Sequence, residues 1–293
     1  MHRRKLQELN LLDDFFFNTM LTYPEIGEAF SRQLLKIIFQ RNFGKLEVIP
    51  QKVYYGADTD MHGARLDVYL EETEADSALI NASTIYDVEP NLLNDSELIE
   101  SLPKRVRFYH AKIDSKSLKS GENYRVLKNV IVIMITPFDP FGLNRMVYTI
   151  RNKCEEETDM YYDDGARTIF LYTKGTKGNP PEELRQFLHY MEHTVPENAT
   201  NDELRHIQDM VETVKKSEEV STAYMKIFER EEYLIHKAIQ SEKANTEQER
   251  KRAEEAETRA MDAETRAQGM AAEIMLLKEE LKRLQGQINN SRP

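Results

Sequence analysis

The C-terminal part of this 293-residue chain carries a heptad repeat, and no other feature restricts the possible fold as strongly. With Ala253 at position a, every a and d position as far as Ile288 is apolar. The a positions are Ala253, Ala260, Ala267, Ile274, Leu281 and Ile288, and the d positions are Ala256, Ala263, Met270, Leu277 and Leu284. A sustained pattern of this kind predicts a coiled coil over residues 253–288.

The charges beside this apolar seam predict how two copies would pair. In a parallel pair, each g position faces the next e position of the partner helix. Arg259 then meets Glu264 and Glu273 meets Lys278, so both pairs attract. We therefore expect a parallel homodimer, held most tightly over residues 270–288 because the alanine-rich half packs weakly. The alternative is a long single helix rich in Ala, Glu and Arg.

Upstream of the repeat, the sequence predicts alternating strands and helices. Residues 64–71 alternate apolar and polar side chains, and residues 84–89 read as a strand paired with them. The continuous apolar run 130–136 predicts a buried central strand. A helix is expected over 95–113, with a break at Pro103. This order of elements favours an α/β domain with a mixed sheet.

Composition changes divide the chain into three predicted parts. Residues 1–180 hold the mixed elements, and residues 181–240 are helical after the Pro180-Pro181 pair. Residues 241–293 combine a polar helical linker, which has no apolar periodicity, with the coiled coil. We therefore predict an α/β core, a helical extension and a stalk.

Several protein classes are excluded or disfavoured by simple counts. A single cysteine, Cys154, excludes an internal disulfide framework and a zinc cluster built from cysteines. The basic start MHRRKLQELN is interrupted by Gln and Glu before an apolar stretch forms, so no signal peptide is expected. The most apolar run, 130–135, is too short to span a bilayer. We expect a cytoplasmic protein with no membrane partner.

The basic residues are unevenly distributed in an acidic chain. The formal net charge is -11, but residues 102–128 hold eight Lys and Arg against two acids. Local fields rather than totals attract a polyanion, so this stretch is a candidate surface for nucleic acid. A solvated helix face is the ordinary explanation of such a run.

Three polar residues, Asp67, Glu89 and Asn91, occur within or just after strand patterns. If the two strands pair, Asp67 and Glu89 converge at one edge of the sheet. Two converging carboxylates favour a cation between them, and hard oxygen ligands suit Mg²⁺. The alternative is that both acids lie on the solvated face of a sheet.

An ordered series of sequence blocks resembles a known nuclease superfamily. GARLDVYLEE, IYDVEPN, RVRFYHAKID and LKNVIVIMITPFDPFG are followed by MVYTIRN, YYDDGARTIFLYTKG and PPEELRQFLHYME. Together they resemble the PD-(D/E)XK superfamily, in particular the recombination-promoting nuclease family, whose members are also labelled transposases. The resemblance covers residues 12–235. It implies a restriction-endonuclease-like mixed sheet flanked by helices, and a DNA endonuclease that uses Mg²⁺ or Mn²⁺.

The resemblance assigns roles to particular residues. The family's active-site acids correspond to Asp67 and Glu89, which would hold the metal. The third position, usually Lys in the superfamily and often Gln in this family, is Asn91 here. Asparagine supplies no charge but can hydrogen-bond a water molecule or a phosphate oxygen. This departure bears on the rate of cleavage more than on the fold.

The resemblance also places the helix after the second acidic strand beside the active site. The basic stretch falls on this helix, and the residues expected to bind the DNA backbone are Arg105, Arg107, Tyr109 and Lys112. Asp14, at the start of the first predicted helix, is a further candidate acid for the metal site, with a helix N-cap as the alternative.

Three hypotheses follow from the sequence. The first is a dimeric metal-dependent DNA endonuclease. The second is a degenerate nuclease fold that binds DNA or recruits partners without cleavage. The third is a nuclease-like head that serves only as the end of an oligomerising stalk. Metal dependence separates the first hypothesis from the other two, and salt-dependent DNA binding without metal separates the second from the third.

Overall fold

The structure is a computed structural model, and it describes residues 4–50, 53–54, 64–65, 68–73, 83–92 and 95–289. Two compact units, Met1–Tyr224 and Met225–Pro293, make up the chain. The first unit contains the sheet, and the second is helical.

Most helices and strands follow one another as the sequence patterns predict. The strand over 45–50 was not predicted, and the single strand predicted over 64–71 is wrong, because residues 64–65 and 68–73 belong to strands of two different sheets. The helices are α1 (Asp14–Thr22), α2 (Gly27–Phe39), α3 (Ser96–Ser117), α4 (Glu182–Glu192), α5 (Asp202–Lys215) and α6 (Glu218–Asn289). The strands are β1 (Lys45–Pro50), β2 (Val53–Tyr54), β3 (Ala64–Arg65), β4 (Val68–Thr73), β5 (Thr84–Pro90), β6 (Asn129–Thr136), β7 (Val147–Ile150) and β8 (Ala166–Tyr172).

Six strands form one mixed sheet in the order β1-β4-β5-β6-β8-β7. Strands β5, β6 and β8 run parallel, whereas β1, β4 and β7 pair antiparallel with their neighbours. Strands β2 and β3 form a separate two-stranded pair. The prediction of a buried central strand is confirmed, because β6 lies between two partners and Val130 to Ile135 are all buried.

Apolar side chains cover both faces of this sheet. Helix α3 packs on one face, where its Leu102 and Val106 contact a layer that includes Ile85 and Val132. Helices α1, α2, α4 and α5 pack on the other face and form the larger apolar layer. Alternate residues of a strand point to opposite faces, so β5 contributes to both layers. The α/β class expected from the sequence is confirmed.

The helical segment after Pro181 belongs to the same compact unit as the sheet. Leu188 of α4 and Leu204 of α5 are fully buried in the layer that also contains Leu34 of α2. The structure therefore divides the chain at Tyr224, whereas the sequence suggested boundaries at 180 and 240. The reason is that the apolar faces of α4 and α5 are buried against the sheet-side helices.

Helix α3 runs through Pro103, and the predicted break at this residue is wrong. Proline removes a backbone donor and usually kinks a helix interior. Here the ring lies on the exposed side of α3, while Leu102 and Val106 are buried on the other side. Burial of these neighbours stabilises the helix across the proline.

The second unit is the greater part of α6, a helix of 72 residues. It includes the predicted linker and the heptads, so both are helical as expected. Ile274, Leu277 and Leu281 of the a and d positions are 52%, 58% and 57% exposed in the single chain. Among the residues described, no helix is both long enough and apolar enough to cross a membrane.

Candidate active site

The end of β5 brings three polar side chains into the interior. Asp87, Glu89 and Asn91 are 0%, 1% and 5% exposed. They occupy alternate positions that continue from Ile85, which packs in the α3 layer, so they line up along the face covered by α3. The backbone N–H of Asn91 donates to the carbonyl oxygen of Ile135 at 2.8 Å, which extends the parallel pairing beyond the strand.

Helix α3 supplies a cation and a phenol to this cluster. Arg105 Nη2 lies 3.3 Å from Glu89 Oε2, and Arg105 Nε donates to Tyr109 Oη at 2.7 Å. Arg105 and Tyr109 are four residues apart and therefore neighbours on one face of the helix. A buried carboxylate is stable only when paired and hydrogen-bonded. The guanidinium of Arg105 provides that charge for Glu89.

The electrostatic effect of the cluster is visible at Tyr109. Burial, together with the negative charge of Glu89, raises the pKa of the Tyr109 phenol to about 12. Tyr109 therefore keeps its proton at neutral pH. The carboxylate of Asp87 acts in the same direction on this pKa.

The predicted partner acid, Asp67, lies outside the described residues. Its neighbour strand β4 is described, and it pairs antiparallel with β5 with Tyr69 opposite Asp87. The predicted pairing of the two acidic strands is therefore confirmed over the residues that the structure describes.

The other predicted DNA-binding residues are distributed over two flanks of α3. Arg107 lines a cavity on the flank beside β8, together with His110. Lys112 Nζ lies 5.3 Å from the ring centroid of Phe108. The structure thus brings Arg105 and Tyr109 to Glu89 but directs Arg107 elsewhere, because residues two apart on a helix point about 200° apart.

The candidate accessory acid Asp14 begins α1 and is exposed. Helix α1 packs in the larger apolar layer, on the face of the sheet opposite α3. The role of Asp14 as a further acid of the metal site stays a prediction. The N-cap position itself belongs to Asp13, whose carboxylate accepts from the Asn10 N–H at 2.7 Å rather than from the first turn of the helix.

Asp87 is the residue of this cluster that the sequence reasoning did not select. The signal was present, because Asp87, Glu89 and Asn91 alternate in the YDVEPN block and a strand places alternate residues on one face. Periodicity alone did not decide whether that face was solvated or covered. Only the position of α3 over β5 makes it a buried face.

A second buried carboxylate lies on the opposite face of the sheet. Glu72 of β4 accepts two hydrogen bonds from Arg41, at 2.9 and 2.6 Å, and one from Tyr86 Oη at 3.1 Å. Burial by itself raises the pKa of Glu72, but the hydrogen bonds from Arg41 and from the Gly44 N–H leave this pKa below its ordinary value. Burial and Glu72 raise the pKa of Tyr86 to about 12. This is a structural ion pair.

Comparisons of the chain with protein-family models, with curated proteins and with solved structures found no match. Within the described ranges, no group of three or more His, Cys, Asp or Glu side chains is arranged to hold a metal ion. The features that indicate a function are therefore the buried Asp87–Glu89–Asn91 cluster and helix α3, which carries basic residues and covers this cluster.

Proposed function

We propose that the first unit is a metal-dependent DNA endonuclease with a restriction-endonuclease-like fold, of the recombination-promoting nuclease type. The observation that carries this proposal is the burial of Glu89 at the end of β5, beneath the helix that holds the basic stretch. The six-stranded mixed sheet with helices on both faces supports the fold that the sequence resemblance implies.

The strand register supports Asp67 as the partner of Glu89. Tyr69 pairs with Asp87. Asp67 precedes Tyr69 by two residues in the sequence, and Glu89 follows Asp87 by two. We propose that the two strands keep this antiparallel register as far as Asp67, in which case the two acids are opposite each other.

The chemistry of the donors fits a magnesium ion. Carboxylates of Asp87 and Glu89 and the amide of Asn91 follow one another on a buried strand face, and hard oxygen donors are those that Mg²⁺ prefers. Glu89 and Asp67 would hold the ion, and Asn91 would orient a water molecule. When bound, Mg²⁺ or Mn²⁺ polarises the phosphodiester and lowers the pKa of a water molecule. Arg105 and Tyr109 would position the phosphate, with Lys112 further along α3.

The test is nicking of supercoiled plasmid by the full chain in Mg²⁺, Mn²⁺ or EDTA. We expect cleavage with either metal and none in EDTA. The Asp67→Ala variant is expected to be inactive, whereas Asp209→Ala, which removes an exposed carboxylate of α5, should cleave as the wild type does. A contaminating nuclease would copurify with all three proteins. Equal cleavage by them, or no cleavage by folded wild type, would refute the proposal.

One observation favours a second candidate, a degenerate nuclease fold that binds DNA or recruits partners. Glu89 already has a cationic partner in Arg105, and Asn91 stands where the superfamily usually has Lys. A carboxylate neutralised by arginine does not require a metal for its burial. Salt-dependent DNA binding that is unaffected by EDTA, without nicking, is the result expected for this alternative.

We also propose that residues 253–288 form a parallel coiled-coil dimer. The exposure of Ile274, Leu277 and Leu281 in the single chain supports this, because exposed apolar side chains in a regular stripe are stabilised by burial against a partner. A dimer would present two nuclease units to the two strands of a duplex.

Charged residues in the seam should dissociate the dimer. We expect the double variant Ile274→Lys, Leu277→Lys to raise the dimer dissociation constant roughly tenfold or more, because lysine replaces buried apolar area. The matched control, Ala272→Lys with Glu279→Lys, places two lysines at f positions and should remain dimeric. Sedimentation velocity measures the mass against the 34.3 kDa of one chain. A monomeric wild type, or equal behaviour of both variants, would contradict the proposal.

A further inference from the structure

A polar cavity of about 220 Å³ lies on the face of the sheet opposite α3, where the parallel strands begin. Tyr86 of β5, Ile131 of β6 and Arg167 of β8 all line it. In the strand register Tyr86 pairs with Ile131, and Ile131 pairs with Arg167, so the three residues form one row across the sheet. Tyr86 and Ile131 belong to the larger apolar layer, which places Arg167 on the same face. Glu89 lies at the other end of β5 and on the face covered by α3.

A second arginine, Arg151, adjoins Arg167 at this cavity. Strand β7 ends with Ile150 paired to Thr168, so Arg151 follows beside Arg167 in this antiparallel pair. Burial, and then the charge of Arg151, lower the pKa of the Arg167 guanidinium. Among the residues that the structure describes, neither guanidinium forms an ion pair or a hydrogen bond. Two like charges at one cavity repel each other, and an anion between them offsets that repulsion.

The wall of the cavity near β4 carries an ion pair that is already balanced. Arg41 lines this wall, where its guanidinium pairs with Glu72 and donates to Tyr86 Oη at 2.7 Å. Tyr86 keeps its proton at neutral pH, because burial and the charge of Glu72 raise its pKa to about 12. The excess positive charge of the cavity therefore lies at the other end of the row, with Arg151 and Arg167.

Asp163 also lines the cavity and opposes this charge. Its carboxylate oxygens accept hydrogen bonds from the Gly165 N–H at 3.1 Å and from Tyr161 Oη at 3.0 Å. The hydrogen bond from Gly165 is the main cause of a pKa below the ordinary value, and the charges of Arg151 and Arg167 act in the same direction. Asp163 is therefore ionised at neutral pH and offsets one of the two positive charges. One positive charge remains for a ligand.

Two neutral side chains add hydrogen-bond donors to the lining. Thr84 of β5 and Asn129 of β6 pair in the register, and both residues line the cavity. Within the described ranges, neither the Thr84 hydroxyl nor the Asn129 amide takes part in a hydrogen bond. Gly165 leaves room for the amide, because a Cβ at this position would lie 2.4 Å from Asn129 Oδ1. Hydroxyl and amide groups can both donate to an anion.

The size and the donors of the cavity favour a compact oxyanion. Its volume is below the roughly 300 to 1,000 Å³ that is typical of small-molecule sites. Arginine binds both carboxylates and phosphates through paired N–H donors. A phosphate group carries more than one negative charge near neutral pH and has enough oxygens for two arginines and two neutral donors. A carboxylate carries one charge on two oxygens, so phosphate fits this set of donors better.

We propose that this cavity binds a phosphate group, with Arg151 and Arg167 as its counterions and with Thr84 and Asn129 as further donors. The phosphate group is that of inorganic phosphate or of a phosphate monoester. The inference goes beyond the endonuclease proposal and does not depend on it, because the cavity lies on the other face of the sheet and involves neither a metal nor cleavage.

Isothermal titration calorimetry on the full chain, near neutral pH in EDTA and at constant ionic strength, tests this site with inorganic phosphate as the probe. We expect saturable binding of phosphate and at least roughly tenfold weaker binding of acetate. Arg151→Gln and Arg167→Gln should each weaken phosphate binding about tenfold, because each removes charge-assisted hydrogen bonds. The control Arg205→Gln alters an exposed arginine of α5 and should bind as the wild type does.

Asp163→Asn should have the opposite effect. It removes a negative charge from the cavity and should strengthen phosphate binding roughly threefold. Asparagine can still accept the hydrogen bond from the Gly165 N–H, so the turn before β8 should persist. Thermal unfolding checks that each variant is folded, and phosphate should raise the melting temperature of the wild type but not that of Arg167→Gln. An unchanged or weaker affinity in Asp163→Asn would show that phosphate binds elsewhere.

AMP and adenosine distinguish the two sources of the phosphate group. AMP binding at least as tight as that of inorganic phosphate, with no binding of adenosine, identifies a phosphate monoester. Phosphate binding without AMP binding identifies the free ion. Absence of saturable binding by both phosphate and AMP overturns the proposal, as do equal affinities for phosphate and acetate. Arginine variants that bind phosphate as Arg205→Gln does would overturn it as well.

Discussion

Glu89→Gln is expected to lower metal-dependent plasmid nicking about 1,000-fold, which corresponds to roughly 4 kcal/mol of transition-state stabilisation. Glutamine retains the size of Glu89 and can still accept a hydrogen bond from Arg105, so the fold should persist. What it removes is the negative charge that would hold the cation. Initial rates of nicking at saturating Mg²⁺ measure the effect.

A matched substitution separates this effect from general damage to α3 and β5. Glu100→Gln makes the same change at an exposed position of α3 and should cleave as the wild type does. DNA binding without metal should be similar in wild type and Glu89→Gln, because the basic residues are unchanged. Rates that are equal for the two variants would show that Glu89 is a structural partner of Arg105 and not a metal ligand.

Arg41→Met is expected to lower the free energy of unfolding by about 3 kcal/mol, since it leaves the Glu72 carboxylate buried without its cation. The side chain of Glu72 is 6% exposed, whereas that of Arg41 is 46% exposed. This asymmetry predicts that Glu72→Gln costs less, about 1 kcal/mol, because the released guanidinium can reach water. Urea unfolding at pH 7, followed by circular dichroism, measures both.

The effect of Arg41→Met should depend on pH in a defined direction. In the wild type the pKa of Glu72 lies below its ordinary value, so the pair stabilises the fold above the unfolded-state pKa and that contribution is lost as the pH falls through the folded-state pKa. In the variant, burial raises the same pKa. The difference in free energy of unfolding between the wild type and Arg41→Met should therefore become smaller below about pH 4.

The control for this prediction is Arg205→Met, which breaks an exposed ion pair with Asp202. Exposed pairs contribute at most about 1 kcal/mol. If Arg41→Met cost no more than Arg205→Met at pH 7, the Glu72 site would have to be solvated enough to need no cation.

Local patterns in the sequence were sufficient to predict most elements of the fold. The apolar run predicted β6, the strand patterns predicted β5 and part of β4, and Pro180-Pro181 marked the start of α4. The strand predicted over 64–71 also included residues 64–65, which belong to β3 in the separate pair. These patterns depend on neighbours only a few residues apart, so they survive without knowledge of the tertiary contacts. The helix break predicted at Pro103 is wrong because it depended on a local preference of proline, which burial on the other side of α3 outweighed.

The candidate sites likewise contain some residues that the sequence indicated and others that only the structure identified. Glu89 and Asn91 were noted in the sequence as polar residues within or just after a strand pattern, and the resemblance to the nuclease superfamily assigned them roles. Asp87 could not be distinguished from a solvated residue until α3 was found to cover that face of β5. The cavity between α3 and the β7–β8 edge is lined by residues from distant segments, among them His110 and Thr168, and no spacing in the sequence indicated it.

By itself, the sequence determined the α/β class, the polar residues at the end of β5 and the long C-terminal helix with its heptads. Only the tertiary structure decided that helices α4 and α5 belong to the sheet unit and that Arg105, not Arg107, faces Glu89. The physical reason is that periodicity fixes which face a side chain occupies, whereas the charge and solvation of that face depend on what packs against it.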